Sequence, residues 1–252
     1  MKKLLLIVCF CIGASALFPQ DLKKLSLSFY GGAKILSPSL NEDWPIRQDV
    51  SYGYYSDEFN AQVNLNGDIA YFGVSPEYLI NKHWSISSGL RFSRYFSSII
   101  KDDYDRGGFF FLRVSQEDER TDFARIKAIK ENSNYIGIPW EVKYTPFVFR
   151  YFDLHTKLTV ELAYRLNTHT DIEFKDEAMK AYQRDVLREI GIKTNPWFST
   201  ASLSLGARLK LSKQAYLSCD WVVPAFYMTK NNSSLVHVDN LGGFQLSIDW
   251  VL

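Results

Sequence analysis

Cysteine is scarce in this chain of 252 residues: there are three, and two of them, Cys9 and Cys11, fall in the first apolar run. If that run is removed, Cys219 stands alone and no intrachain disulfide staples the protein, so stability has to come from burial or from lipid. Long hydrophobic runs are missing as well. Beyond the first one, no segment approaches the roughly 18 consecutive apolar residues of a helical span. A mean hydropathy of −0.16 agrees in excluding a bundle of membrane helices. Charge of one sign is also absent: 29 lysines and arginines face 28 acidic residues, which leaves no basic footprint for nucleic acid. Histidine is sparse. His83, His155, His169 and His237 show no pair at metal-ligand spacing, and no motif calls for a metal or cofactor.

What is present begins with an address. Lys2 and Lys3 precede an apolar run from Leu4 to Ile12, and Ala14-Ser15-Ala16 follows as a small-residue cleavage site, the three parts of a secretory signal. Residues 1–16 are therefore expected to be a removed leader and residues 17–252 a single domain. The run is too short to cross a bilayer as a helix.

The other end is Gly243 to Leu252, GFQLSIDWVL, which sets Phe244, Leu246, Ile248, Trp250 and Leu252 against Gln245, Ser247 and Asp249. Such alternation is a strand with one greasy side. The same test along the chain finds eight strands. The first carries Leu25, Leu27, Phe29, Ala33 and Ile35 on one face. The second, near residues 61–80, carries Phe72, Val74 and Tyr78, although Val63, Leu65 and Ile69 imply a bulge or face switch near Gly67. Trp84, Ile86, Leu90 and Phe92 mark the third, Ile136 to Tyr144 the fourth, Leu154 to Leu166 the fifth, Trp197 to Leu211 the sixth and Leu217 to Tyr227 the seventh.

Connectors alternate in length. Residues 80–83, 148–153 and 212–215 are short; 37–60, 98–134, 168–196 and 229–240 are long. An even-stranded barrel with both termini in the periplasm produces this pattern. Within the long connectors, Asp176, Met179, Tyr182, Val186, Ile190 and Gly191 predict a helix over 176–190, and Phe123, Ile126 and Ile129 a shorter one after Thr121.

Alternation does not say which face is outside, since a soluble lipocalin-like barrel has apolar residues inside. The closing strand, the connector asymmetry, the tryptophans near strand ends and the 15% aromatic content favour lipid outside, where rings gather at the interfaces. The fold class expected is all-β, an eight-stranded antiparallel transmembrane β-barrel with short helices in the long external loops. The lipid-facing residues would be Phe29, Trp84, Ile86, Leu90, Trp140, Leu158, Val160, Leu162, Leu203, Leu205, Trp221, Phe244, Leu246, Ile248 and Trp250. The lumen would then receive Glu77, Arg91, Glu141, Lys157, Glu161, Arg165, Arg208, Asp220 and Asp249, with Lys34, Lys143 and Lys210. Both signs are present, so the expectation is a plugged, salt-bridged interior.

Three segments resemble the PorT-like outer-membrane β-barrel family, an eight-stranded Bacteroidota type. They are Tyr78 to Tyr95 (YLINKHWSISSGLRFSRY), Tyr135 to Phe147 (YIGIPWEVKYTPF) and the closing strand. The family's strand end, turn and Gly-Leu-x-Tyr/Phe-Ser phrase match Tyr78, Leu79 and Ile80, then Gly89, Leu90, Phe92 and Ser93. Its Ile-Pro-x-x-x-Lys-Tyr phrase matches Ile138, Pro139, Lys143 and Tyr144. Leu252 stands where such strands often end in an aromatic residue. The resemblance implies an integral outer-membrane barrel and, for the family's namesake, a part in protein secretion; it carries over no catalytic residue.

Candidate chemistry is thin. His169, flanked by Thr168, Thr170 and Asp171 near the outer rim, is the one histidine placed where a lipid-modifying barrel enzyme would hold a base. Asp102, Asp103 and Asp105 with Gly107 and Gly108 lack the spacing and terminal Glu of a calcium loop. Phe109, Phe110, Phe111, Tyr182 and Val186 are the candidate contacts for a protein partner. The expected function is a non-enzymatic outer-membrane barrel, a structural or interaction subunit of an assembly. A small-solute pore, an outer-leaflet lipid-modifying enzyme and a soluble ligand-binding barrel are the alternatives.

Overall fold

The computed structural model describes residues 25–41, 46–47, 63–101, 110–115, 121–229 and 231–252. The expected leader, Asp102, Asp103, Asp105, Gly107, Gly108 and Phe109 lie outside them. The strands are β1 (Leu25–Leu40), β2 (Ile46–Arg47), β3 (Val63–Leu79), β4 (Trp84–Ser88), β5 (Leu90–Lys101), β6 (Phe110–Ser115), β7 (Thr121–Val148), β8 (Phe152–Phe174), β9 (Trp197–Lys210), β10 (Ala215–Tyr227) and β11 (Val236–Val251). Between β8 and β9 come a 3₁₀ turn, Glu177–Tyr182, and helix α1, Gln183–Ile190.

Every pairing is antiparallel, and the ring closes. β1 joins β3, β3 joins β4 and β5, both join β7, and β8, β9, β10 and β11 follow in order back to β1. β4 and β5 form one barrel strand interrupted at Gly89, where an added Cβ would lie 2.0 Å from the Val74 carbonyl oxygen. The ring therefore has eight strands. The closing strand lies against the first, with Phe29 opposite Ile248 and Leu27 opposite Trp250. A closed ring has no sheet edge, so the ladder satisfies the backbone all the way round.

Short turns at 80–83, 149–151 and 211–214 collect at one end, here the turn end, together with the starts of β1 and the finish of β11. The other is the loop end, where the strands run further than the alternation predicted. The expected connector 98–134 contains the top of β5, all of β6 and much of β7; β8 continues to Phe174, and β11 begins at Val236. The expected helix after Thr121 is strand. Ile126 and Ile129 both point inward because the β7–β8 register shifts between Ile126 and Ala128, and a bulge places residues three apart on one face just as a helix does.

β3 holds one register against β5 from Val63 to Val74 and against β1 from Asp68 to Tyr78, and the β5 side shows no shift at Gly67. Its alternation never changes phase; Val63, Leu65, Ile69 and Tyr71 face inward while Phe72 and Val74 face outward. What switches near Gly67 is the polarity of the two faces. The helix over 176–190 was legible in kind: Asp176 Oδ1 accepts from the Ala178 N–H at 3.1 Å, and Gly191 (φ 58°) ends α1. Its first half is 3₁₀ rather than α.

Candidate functional site

In the turn half of the barrel the residues predicted to meet lipid all point outward, and all but Val160 are exposed, from 39% at Ile86 to 72% at Trp221. Rings gather at both margins of this belt. Trp84 packs on Tyr144 with centroids 4.6 Å apart at the turn end, and Tyr164 meets Trp197 at 5.0 Å at the other. An outward apolar belt with aromatic margins, on a ring with no edge, is a membrane-crossing surface.

Inside that belt the side chains are charged, and they reach across the barrel. Arg91 on β5 is the hub, with Nη1 2.8 Å from Glu161 on β8 and Nη2 3.3 Å from Glu141 on β7. Lys34 on β1 stands 3.9 Å from Glu161. Glu77 on β3 takes Lys143 at 2.5 Å and Arg208 at 3.0 Å, and Arg208 also reaches Asp249 on β11 at 3.3 Å. Lys157 on β8 donates to Asp220 on β10 at 2.6 Å. Ser85 and Ser218 supply further donors, to Glu77 and Asp249. Hydrogen bonds that occupy the remaining lone pairs are the condition on which buried charge is tolerated.

Two predicted lumen residues lie apart from this network. Arg165, half-buried near the loop end, donates to Thr194 in the connector after α1, and Lys210 opens to solvent at the turn end. One member had not been singled out: His155 is buried, its Nε2 2.6 Å from Asp220 Oδ1. Its place on the polar face of a strand start was the available signal; its partner, 65 residues away, was not.

Above the charges sits a layer of tyrosine. The Arg91 guanidinium lies over the rings of Tyr30 and Tyr71, 4.9 and 4.6 Å from their centroids, at cation–π range. These rings need room, and glycine supplies it. Tyr71 crosses Gly32 and Tyr30 crosses Gly73, where an added Cβ would approach the phenol oxygens to 2.6 and 2.4 Å. Tyr95, Tyr135 and Phe198 complete the layer.

Toward the loop end the interior turns aliphatic. Ile99, Leu112, Ala124, Ile126, Ile129, Ile172, Phe174, Leu235 and Val236 form one buried cluster. Val186 of α1 belongs to it at 3% exposure, with Met179 and Leu187 packed alongside. Val186 is therefore part of the core and not a partner contact. Tyr182 is exposed at 59%. Phe110 and Phe111 stand in β6, paired to Ile126 and Arg125 of β7.

The segment Asn232–Leu235 was expected to be an outer loop; it is folded into the barrel mouth and buried. Glu131 accepts from the Ser234 N–H at 3.1 Å and from its hydroxyl at 2.5 Å, Ser233 meets Ser97 at 3.0 Å, and Asn41 donates to the Ser234 carbonyl at 3.0 Å. These partners lie far apart in sequence, so no local pattern announced the insertion.

Mouth and lumen leave little space. Two cavities among the lumen charges are about 20 Å³, among Glu77, Glu141, His155, Lys157 and Asp249, and about 10 Å³, beside Lys34, Tyr71 and Arg91. Each holds roughly one water. His169 stands exposed on β8 opposite Asn132, and His83 in the first turn contacts the Thr145 carbonyl at 2.7 Å. Among the described residues, no group of three or more His, Cys, Asp or Glu side chains is placed to hold a metal.

No protein-family model and no curated protein matches the chain. Among solved structures it is similar to the outer membrane protein OprG from Pseudomonas aeruginosa, at 11% identity and a TM-score of 0.45 over 91% of this chain and 97% of that one. Neisserial surface protein A follows at 10% identity and 0.38, over 91% and 97%. The attachment invasion locus protein Ail of Yersinia pestis, in complex with the heparin analogue sucrose octasulfate, overlaps at 10% and 0.37, over 90% and 96%. Overlaps this loose carry no role across; the fold rests on the closed ring and its two faces.

Proposed function

We propose that the protein is an integral outer-membrane β-barrel that conducts no solute and performs no chemistry of its own, and that it serves as a structural or interaction subunit of an envelope assembly. One observation carries the reading: an apolar, aromatic-margined exterior surrounds a lumen filled by paired charges. A soluble ligand-binding barrel requires the reverse in this half. The expected leader supports export, and short turns at one end with long connections at the other support periplasmic termini. The packed lumen speaks against a pore, since ion pairs such as Arg91–Glu161 and Arg208–Glu77 reach across it.

The long outer connections are the surface left for a partner. The PorT-like phrases, Gly89-Leu90 with Phe92-Ser93 and Ile138-Pro139 with Lys143-Tyr144, support a secretion-related assembly as the setting. Membrane fractionation with heat-modifiable gel migration tests the first half of the proposal: a barrel shifts on heating and pellets with outer membranes, whereas a soluble, unshifting protein sinks it. Planar-bilayer recording should be silent, and steady single-channel steps would replace the subunit reading with the pore. Gentle solubilisation and copurification should recover a discrete complex; a persistent monomer would remove the assembly role.

A further inference from the structure

Three turns close the turn end of the barrel, and one is unlike the others. Asn81-Lys82-His83 and Ser212-Lys213-Gln214 are polar and self-capped. Asn81 Oδ1 accepts from the His83 and Trp84 N–H groups at 2.8 and 3.0 Å, and Ser212 Oγ from Gln214 and Ala215 at 3.2 and 3.0 Å. The β7–β8 turn instead presents Phe147, Phe149, Tyr151 and Phe152, each between 42% and 63% exposed. Phe149 stacks on Phe152 at 4.6 Å, and the Arg150 guanidinium lies 5.1 Å from the Tyr151 ring centroid. These rings continue the outward apolar face of Trp140, Val142, Tyr144 and Leu154, so the greasy surface runs on to the tip, whereas the other two turns carry a single exposed apolar residue each, Ile80 and Leu211.

Among the described residues, the exposed charge at this end is one-sided. Lys82, Arg150, Lys210 and Lys213 are exposed, while the acids near them, Glu77, Asp153 and Asp249, are buried or half-buried. Aromatic rings that run on from a lipid-facing belt, beside exposed cations, match the acyl–glycerol boundary of a leaflet whose headgroups carry phosphate.

We propose that the β7–β8 turn is a lipid wedge, seated among anionic phospholipid headgroups of the leaflet at the turn end, with Arg150 and the neighbouring lysines holding the phosphates. The inference rests on the membrane-barrel reading and extends it to a lipid class and a leaflet. Cys219 is exposed and is replaced first, by Cys219→Ser. Single cysteines are then placed by Phe149→Cys, by Tyr151→Cys as a second reporter should the first fold poorly, by Leu205→Cys in mid-belt and by Lys213→Cys. Each protein is spin-labelled in vesicles of phosphatidylethanolamine and phosphatidylglycerol, and collision with oxygen is compared with collision with an aqueous nickel chelate.

Labels at 205 and at 149 or 151 should both favour oxygen, and the label at 213 the chelate. An aqueous label at 149 and 151 with a lipid-exposed 205 overturns the wedge and leaves the tip to a protein partner. An aqueous 205 means that the barrel reading itself has failed. For the phosphate arm, Arg150→Gln should retain about fivefold less phosphatidylglycerol through purification, with phosphatidylethanolamine unchanged; equal loss of both lipids overturns the anionic preference.

Discussion

The turn half and the loop half of this barrel are built from the same continuous strands with opposite polarity. On β3, Phe72 and Val74 face out while Glu77 faces in; farther along, Asn64, Asn66 and Asp68 face out while Val63, Leu65 and Ile69 face in. β7 repeats the exchange, with Trp140 and Val142 outward over Glu141, then Arg125 and Lys127 outward over Ile126 and Ile129. Side-chain alternation is geometric and runs unbroken along β3, with a bulge beside Ile126 on β7; what changes is the polarity of the two faces. The loop half has the faces of a soluble barrel, apolar within and polar without, and tyrosines, amphipathic by nature, occupy the crossover.

That contrast is open to attack in descending order of expected effect. Arg91→Leu takes from Glu141 and Glu161 their nearest cation, leaving Lys157 and Lys34 at 3.9 Å, and should cost about 3–5 kcal/mol, read as a lowered urea midpoint in lipid vesicles. Ile129→Ala empties the aliphatic interior of the loop half at about 2–5 kcal/mol. Hydrogen exchange should rise around β6 and the top of β7 and stay unchanged at Leu203 and Leu205; a uniform rise would mean that the halves unfold as one.

A charge placed outward separates them directly. Leu205→Arg, in the belt, should lose about 2–4 kcal/mol, whereas Asn66→Arg, on the outer wall, should stay within about 0.5 kcal/mol. Equal costs would erase the distinction. The smallest effect belongs to the mouth: Glu131→Gln weakens the hold on Ser234 by about 1–2 kcal/mol, detectable as faster alkylation at Leu235→Cys with unchanged heat-modifiable migration.

The turn half was legible in the sequence because lipid and lumen pull neighbouring residues to opposite faces, and Leu203 to Lys210 or Phe244 to Trp250 show it without interruption. The loop half hid itself by reversing the sign. Val63, Leu65 and Ile69 read as a flaw in a strand when they are its continuation in water, and the bulge beside Ile126 imitates a helical spacing. Lumen membership could be read from alternation, but the pairing could not. His155 and Asp220, or Arg208 and Glu77, meet only because the ring brings distant strands face to face.

The ion pairs carry one more implication, for assembly. Lys34–Glu161, Arg91–Glu161, Arg208–Glu77 and Lys157–Asp220 each join strands that are not neighbours in the sheet. Adding hairpins one at a time therefore satisfies the backbone progressively, while Lys34–Glu161 and Arg208–Glu77 wait for strands from opposite sides of the ring. A half-built sheet would leave Lys34 and Arg208 without these carboxylates, and the closed ring supplies them. Closure and charge pairing are thus coupled: the contact of Arg208 on β9 with Asp249 on β11 belongs to the same closed ring that pairs β11 with β1.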